Sequence, residues 1–357
     1  MSAFISVLKI QPSMFTQPTI VPTLRPLLLL LSFSFLFTAC RQAPKVTYEA
    51  DQSEYYEEAA VVSGHPLSSA VGEAILAKGG NAVDAAVAVQ LALAVVYPRA
   101  GNIGGGGFMV YRGADGTLDA LDYREKAPAA ASRDMYLDSL KNPIDGLSTK
   151  GHMAAGVPGT VAGLVAAHQR YGSLTWAELV QPAIDLAREG YTLSATEVER
   201  LTNYQEDIAA FNDSDCVFVK DSWETGEVLQ QTALAATLER IRDNGQAGFY
   251  EGETARLIVE EMQSGNGLIT AADLKAYQAT WRKPVVGSYN NYRIISMPPS
   301  SSVGVALLQM LGMVESFPLD EYGFHSTAAG HLMVEAERRA YADRAEYLGD
   351  SDYYHVP

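Results

Sequence analysis

The side chain best placed for binding chemistry is the guanidinium of Arg124, in the segment DYREKAP that spans residues 122–128. An arginine at the end of a strand can direct two parallel N–H donors at one carboxylate. The local alternative is an ion pair with Asp122 or Glu125, because arginines commonly serve structure rather than binding. Taken alone, these residues leave both interpretations open.

Other side chains with reactive groups lack the surroundings that catalysis requires. Ser300, Ser301 and Ser302 follow two prolines, but no Gly-x-Ser-x-Gly turn surrounds them. We expect them to cap the helix that follows. The histidines show no metal-ligand spacing, and the two cysteines, Cys40 and Cys216, cannot build a zinc cluster or a disulfide framework. We therefore predict neither a metal nor a cofactor.

A run of glycines lies in the segment GNIGGGGF, residues 101–108. Consecutive glycines let a backbone approach an anion closely. This run is not a phosphate-binding loop, because no Gly-Lys-Ser/Thr follows it and a strand rather than a helix comes next. We expect the glycines to let the chain pass tightly beneath a buried helix.

The elements that position these residues are predicted to come in blocks of helices and of hairpins, without strict alternation. Asn81, with Asp84 three residues later, caps a helix that is apolar on nearly every side up to Pro98 and so belongs in the core. Hairpins are predicted at residues 108–123 and 284–297. Further helices are predicted at residues 69–77, 160–170, 231–243, 253–264 and 326–348, with another opening at Thr175. Such blocks favour an α+β fold over a doubly wound one.

The N-terminal region is typical of an exported protein. Residues 1–39 form a predicted signal peptide, with Lys9 and Arg25 before an apolar run that ends at Thr38-Ala39-Cys40. The small residues before Cys40 resemble a bacterial lipoprotein box, which implies cleavage there and acylation of Cys40; an ordinary secretory signal is the alternative. Residues 40–60 read as an acidic tether. The remaining region, 61–357, is long enough to bury a substantial core.

Composition excludes some partners. The chain has 42 Asp and Glu against 26 Lys and Arg, a formal charge of -16. Such a surface repels phosphate backbones and anionic lipid headgroups, so we expect no nucleic-acid partner and no membrane contact except through Cys40. The expected location is the periplasm or cell envelope.

Seven motifs together resemble the γ-glutamyltransferases. They occur in family order and cover nearly everything after residue 60: SAVGEAIL (69–76), GGNAVDAA (79–86), GGGGF (104–108), DYREKAP (122–128), GVPGT (156–160), MPPSSS (297–302) and YADRAEYLGD (341–350). The resemblance implies an N-terminal nucleophile hydrolase fold, a four-layer αββα sandwich that matures by self-cleavage into a large and a small subunit. It also implies cleavage of the γ-glutamyl bond of glutathione, with transfer of the glutamyl group to water or an amino acid.

The resemblance also implies which site residues belong to this chain and which belong to the small subunit. It implies that Arg124 clamps the α-carboxylate of the γ-glutamyl group, which reverses the local preference for an ion pair. It places the nucleophile, a Thr at the start of the small subunit, beyond Pro357, so this chain alone is expected to be inactive. Because strands of both subunits complete the sheets, we expect the chain alone to expose unpaired edges and an apolar face.

Two alternatives remain open at this stage. One is a non-catalytic envelope lipoprotein that keeps the scaffold without the chemistry. The other is a related acylase that acts on β-lactam side chains, although the surroundings of Arg124 favour an amino-acid carboxylate.

Overall fold

The computed structural model describes residues 55–357. The predicted signal peptide, Cys40 and most of the predicted tether lie outside these residues. Residues 55–60, the described part of the tether, form neither helix nor strand and are exposed. No helix within residues 55–357 has both the length and the apolar character needed to cross a bilayer.

Helices and short strands follow one another in blocks, as expected for an α+β fold. In chain order the described elements are α1 (Pro66–Ala77), α2 (Ala82–Val96), β1 (Phe108–Arg112), β2 (Leu118–Asp122), α3 (Thr160–Tyr171), α4 (Trp176–Glu189), β3 (Tyr191–Thr192), α5 (Ala195–Phe211), β4 (Val228–Leu229), α6 (Thr232–Asn244), α7 (Ala247–Tyr250), α8 (Gly252–Ser264), α9 (Ala271–Ala276), β5 (Thr280–Arg282), β6 (Val285–Tyr289), β7 (Tyr292–Ser296), α10 (Val303–Val314), α11 (Leu319–Tyr322) and α12 (Thr327–Tyr347), with a short 3₁₀ turn at His152–Ala154.

Helix α2 is the centre of the core. Its predicted cap is confirmed: Asn81 Oδ1 accepts from the N–H groups of Val83 (2.8 Å) and Asp84 (3.0 Å), and Asp84 Oδ2 accepts from the Asn81 N–H (2.9 Å). The helix packs against α1, α3 and α4. Surrounded in this way, a helix that is apolar on nearly every side needs no polar face.

The strands form small antiparallel sheets. In the three-stranded sheet β2 lies between β1 and β5, with Phe108 and Thr280 on either side of Asp122. Strands β3 and β4 form a second pair and β6 and β7 a third. Both predicted hairpins are confirmed, β1–β2 and β6–β7. The end of β2, the point where Arg124 follows, is therefore flanked by two strands.

The chain divides into two regions that differ in burial. In the body, residues 66–282, one continuous apolar cluster extends from Ile75 to Tyr277. In the C-terminal layer, residues 285–357, α10 packs on α12 and on the β6–β7 hairpin. The buried side chains of this layer are few and mostly small, among them Ala306, Ala336 and Ala340.

The C-terminal layer exposes large apolar side chains, as expected for the chain alone. Tyr292, Val303, Met333, Val334 and Tyr341 are each more than half exposed. Strands β1 and β5 are the outer strands of the three-stranded sheet within residues 55–357. Exposed apolar surface of this kind is typical of a face that contacts another polypeptide.

Candidate substrate-binding site

Arg124 lies two residues beyond the last residue of β2, and its side chain is exposed. Its guanidinium forms no hydrogen bond or ion pair with any of residues 55–357, while its backbone N–H donates to Asp122 Oδ1 at 3.1 Å. The predicted alternative, an ion pair with Asp122 or Glu125, is therefore wrong. The guanidinium is left free to bind an anion from solvent.

Asp122 is engaged by a different arginine. Its buried Oδ2 accepts from Arg282 Nε at 2.8 Å and from the Ser300 hydroxyl at 3.0 Å. Arg282 in turn donates from both terminal nitrogens to the two carboxylate oxygens of Asp352, each at 2.8 Å. We call these four residues the Asp122 network. It joins β2, β5, the loop before α10 and the segment after α12 beside Arg124.

In this network one guanidinium, that of Arg282, is shared by two carboxylates, those of Asp122 and Asp352. Hydrogen bonds from Arg282 hold the pKa of Asp352 below its ordinary value. Hydrogen bonds to Asp352 and then Asp122 outweigh burial and raise the pKa of Arg282 above its ordinary value. Arg282 is thus permanently charged, and each of its three guanidinium nitrogens donates to the carboxylate of Asp122 or Asp352. Of these two guanidinium groups, that of Arg124 alone is available to a ligand.

The three serines of the MPPSSS motif have separate roles. Ser301 Oγ accepts from the Val303 N–H at 3.3 Å and so serves the start of α10, which confirms the capping prediction for that residue. The prediction is wrong for its neighbours. Ser300 donates to Asp122, and Ser302, although it occupies the N-cap position, accepts from Arg344 Nε at 2.8 Å rather than from the helix backbone.

The predicted passage beneath a buried helix is confirmed for Gly101 only, because Gly106 and Gly107 pack against residues 123–125 instead. A Cβ atom on Gly101 would lie 2.0 Å from the carbonyl oxygen of Leu93 in α2, so only glycine can pass beneath that helix. A Cβ atom on Gly106 would lie 2.8 Å from the Cα atom of Arg124. The run therefore also presses against the backbone of the candidate binding residue.

Two histidines, His65 and His152, have acidic partners at separate places in the structure. His65 Nε2 lies 2.9 Å from Glu197 Oε1, and His152 Nε2 lies 2.7 Å from Glu261 Oε1. In the described part of the chain, no group of three or more His, Cys, Asp or Glu side chains could hold a metal ion.

Comparison with known proteins defines the class. Residues 68–357 match the family model described as Gamma-glutamyltranspeptidase, so the chain belongs to the γ-glutamyltranspeptidase family, with its N-terminal nucleophile hydrolase fold. A crystal structure of Helicobacter pylori γ-glutamyltranspeptidase is 45% identical, with a TM-score of 0.83, and the match covers 86% of this chain and 88% of that one.

The curated relatives are longer proteins. The glutathione hydrolase proenzyme of Escherichia coli K12 is 43% identical over 348 residues, which is 96% of this chain but 60% of that protein. An acylase ACY 1 proenzyme of a Pseudomonas species, strain V22, is 38% identical over 305 residues, 83% of this chain and 55% of that protein. The chain thus spans between half and two thirds of the length of these relatives.

Proposed function

We propose that this chain supplies the large-subunit part of a γ-glutamyltransferase, or glutathione hydrolase. The enzyme would cleave the γ-glutamyl bond of glutathione and transfer the glutamyl group to water or to an amino acid. The observation that carries the proposal is the free guanidinium of Arg124 at the end of β2, in a chain of this family. Relatives that are named glutathione hydrolase proenzymes support the proposed substrate and the proposed maturation by cleavage.

The proposed role of Arg124 is to clamp the α-carboxylate of the γ-glutamyl group. A planar guanidinium binds a carboxylate through two parallel hydrogen bonds, which orients the substrate as well as holding it. Because Asp122 is occupied by Arg282, no neighbouring carboxylate of the network competes for Arg124. The scissile amide, at the other end of the glutamyl chain, would then lie at a defined distance from the clamp.

The attacking group is proposed to belong to a partner polypeptide, the small subunit. Nucleophilic catalysis by a hydroxyl needs an adjacent base. The one hydroxyl of the Asp122 network, that of Ser300, donates to a carboxylate that already accepts from Arg282 Nε, and it has no hydrogen bond to a histidine or an amine within residues 55–357. We therefore assign no nucleophile to residues 55–357. The family resemblance supports a Thr at the start of the small subunit.

The test is cleavage of a γ-glutamyl anilide by this chain alone and together with a small-subunit polypeptide. We expect turnover only with both. In the active enzyme Arg124→Lys should raise KM by about 10- to 100-fold, because an ammonium cannot form the two-point contact. The matched control is Arg256→Lys, an exposed arginine paired with Glu253 and Glu260 in α8, which should leave KM unchanged. Turnover by the chain alone, or an unchanged KM for Arg124→Lys, would refute the proposal.

An acylase that removes β-lactam side chains is the second candidate, because proteins named as acylases are among the relatives. Assaying the active enzyme with a cephalosporin amide distinguishes the two candidate functions. Cleavage of this amide that does not depend on Arg124 would favour the acylase.

For the segment outside the described residues we propose export to the cell envelope with Cys40 as the site of lipid attachment. The support is the sequence pattern before Cys40. Labelling with a radioactive fatty acid should mark the wild type and not Cys40→Ser.

A further inference from the structure

We propose that the Tyr277 hydroxyl is a positioning group for substrate binding, which holds the backbone of Arg124 so that the guanidinium meets the substrate carboxylate. This inference rests on the function proposed above for Arg124. It is carried by a hydrogen bond between residues 153 positions apart in the sequence, in which Tyr277 Oη donates to the Arg124 carbonyl oxygen at 2.7 Å.

Both backbone polar groups of Arg124 are held by side chains. The N–H donates to Asp122 Oδ1 at 3.1 Å, and the carbonyl accepts from Tyr277. Arg124 has therefore left the sheet ladder, which ends with the reciprocal bonds between Tyr123 and Gly107. The positions of N and C at one residue determine the direction of its Cα–Cβ bond. Together the two side chains thus define the point from which the long Arg124 side chain extends.

Tyr277 is itself rigidly supported. It directly follows α9, where its N–H donates to the Leu274 carbonyl at 3.2 Å, and it is 3% exposed. Its ring lies parallel to that of Tyr250, with 5.8 Å between centroids and 6° between planes. Burial raises the pKa of the Tyr277 phenol above its ordinary value, so the hydroxyl keeps its proton at neutral pH and stays a donor.

Two glycines allow this close arrangement. A Cβ atom on Gly159 would lie 2.1 Å from Tyr277 Oη and 2.1 Å from the carbonyl oxygen of Tyr123. On the other side, a Cβ atom on Gly106 would meet the Arg124 Cα atom at 2.8 Å. The glycines of two sequence motifs, GGGGF and GVPGT, thus enclose the same short piece of backbone. A side chain at either position would displace Arg124 or the hydroxyl that holds it.

The test is Tyr277→Phe in the processed enzyme that contains this chain. The substitution removes one oxygen and keeps the ring packed on Tyr250, so we expect a folded protein. KM for a γ-glutamyl anilide should rise about five- to tenfold, as for the loss of one hydrogen bond that positions a charged group, while kcat changes by less than about twofold.

Tyr250→Phe is the matched control. Its hydroxyl also donates to a loop carbonyl, that of Pro158 at 2.8 Å, and in addition accepts from the Ala162 N–H at 3.3 Å; the residue is equally buried, but it does not hold Arg124. The melting temperature should fall at least as much for Tyr250→Phe as for Tyr277→Phe, whereas KM should rise only for Tyr277→Phe. A similar rise in KM for both variants would overturn the inference, because it would reduce the hydroxyl to a general structural role.

A second measurement separates this inference from the proposed function. With a substrate whose α-carboxylate is replaced by an amide, or in an Arg124→Ala background, Tyr277→Phe should have no further effect on KM. A full additional effect in either setting would overturn the positioning role. If Arg124→Ala itself leaves KM unchanged, the proposed function fails. If Arg124→Ala raises KM and Tyr277→Phe does not, only the inference about Tyr277 fails.

Discussion

The body and the C-terminal layer are built from similar elements but bury their side chains to different degrees. In the body, α2 is enclosed by three other helices, and leucines such as Leu91 and Leu238 have no exposed surface. In the layer, α12 is longer than α2, yet only three alanines, Ala329, Ala336 and Ala340, are buried along its 21 residues. The body therefore carries its own core, whereas the layer offers a surface for a further polypeptide.

The contacts between the two regions include charged groups. The Asp122 network joins β2 and β5 of the body to Ser300 and Asp352 of the layer. Charged contacts are directional and contribute less to stability than a buried apolar core. The network thus sets where the layer lies relative to Arg124, while the body supplies most of the stability.

The largest expected effect compares the truncation of an apolar side chain in each of the two regions. Leu238→Ala in α6 removes a fully buried side chain and should lower the free energy of unfolding by about 2–5 kcal/mol. Met333→Ala in α12, where the side chain is 54% exposed, should lower it by less than about 0.5 kcal/mol. Urea unfolding of both variants measures the difference. Equal losses would mean that the layer is as well packed as the body.

A smaller effect comes from the buried cap of α2. Burial alone would raise the pKa of Asp84, but hydrogen bonds from Ser173, Asn81 and Leu174 outweigh it and hold the pKa below the ordinary value of 3.8. The charged carboxylate therefore stabilises the fold above that pH, and the contribution is lost as the pH falls through the lowered pKa. Asp84→Asn should lower the free energy of unfolding by about 2–3 kcal/mol at pH 7, and this loss should shrink below pH 3.8.

The matched control for that prediction is Asp115→Asn in the exposed β1–β2 turn. Its carboxylate accepts from the N–H and hydroxyl of Thr117, and these bonds also lower its pKa. Because the carboxylate is exposed, its substitution should lower the free energy of unfolding much less when urea unfolding of both variants is measured from pH 7 to below pH 3.8. A pH-independent loss for Asp84→Asn would contradict the role given to its charge.

The smallest effect concerns the link between the regions. Asp352→Asn weakens the two-point contact with Arg282 and should cost about 0.5–1 kcal/mol, because the Asp352 side chain is 39% exposed and solvent screens the pair. Amide hydrogen exchange should accelerate in the layer and not in the body. Arg338→Gln, which breaks an exposed pair with Glu335 inside α12, is the control and should not alter this pattern. Uniform acceleration would show that the two regions unfold together.

Features that depend on neighbouring residues in the chain could be predicted. The Asn81–Asp84 cap follows from a three-residue spacing, and the two hairpins follow from turn residues between apolar runs. Strand β5 is only three residues long, and nothing in its local pattern predicts pairing with β2. The position of Tyr277 was also missed, because a single tyrosine after a short helix carries no periodic signal.

The amino-acid sequence by itself determined the local elements, the buried character of α2 and the set of motifs that identifies the family, because each depends on residues close together in the chain. Only the tertiary structure decided which arginine binds Asp122. Arg282, 160 positions away, reaches that carboxylate through the pairing of β5 with β2, and Arg124, two residues away, does not. The choice between two equal charges depends on which of them the fold brings into contact, and here it leaves Arg124 free for a ligand.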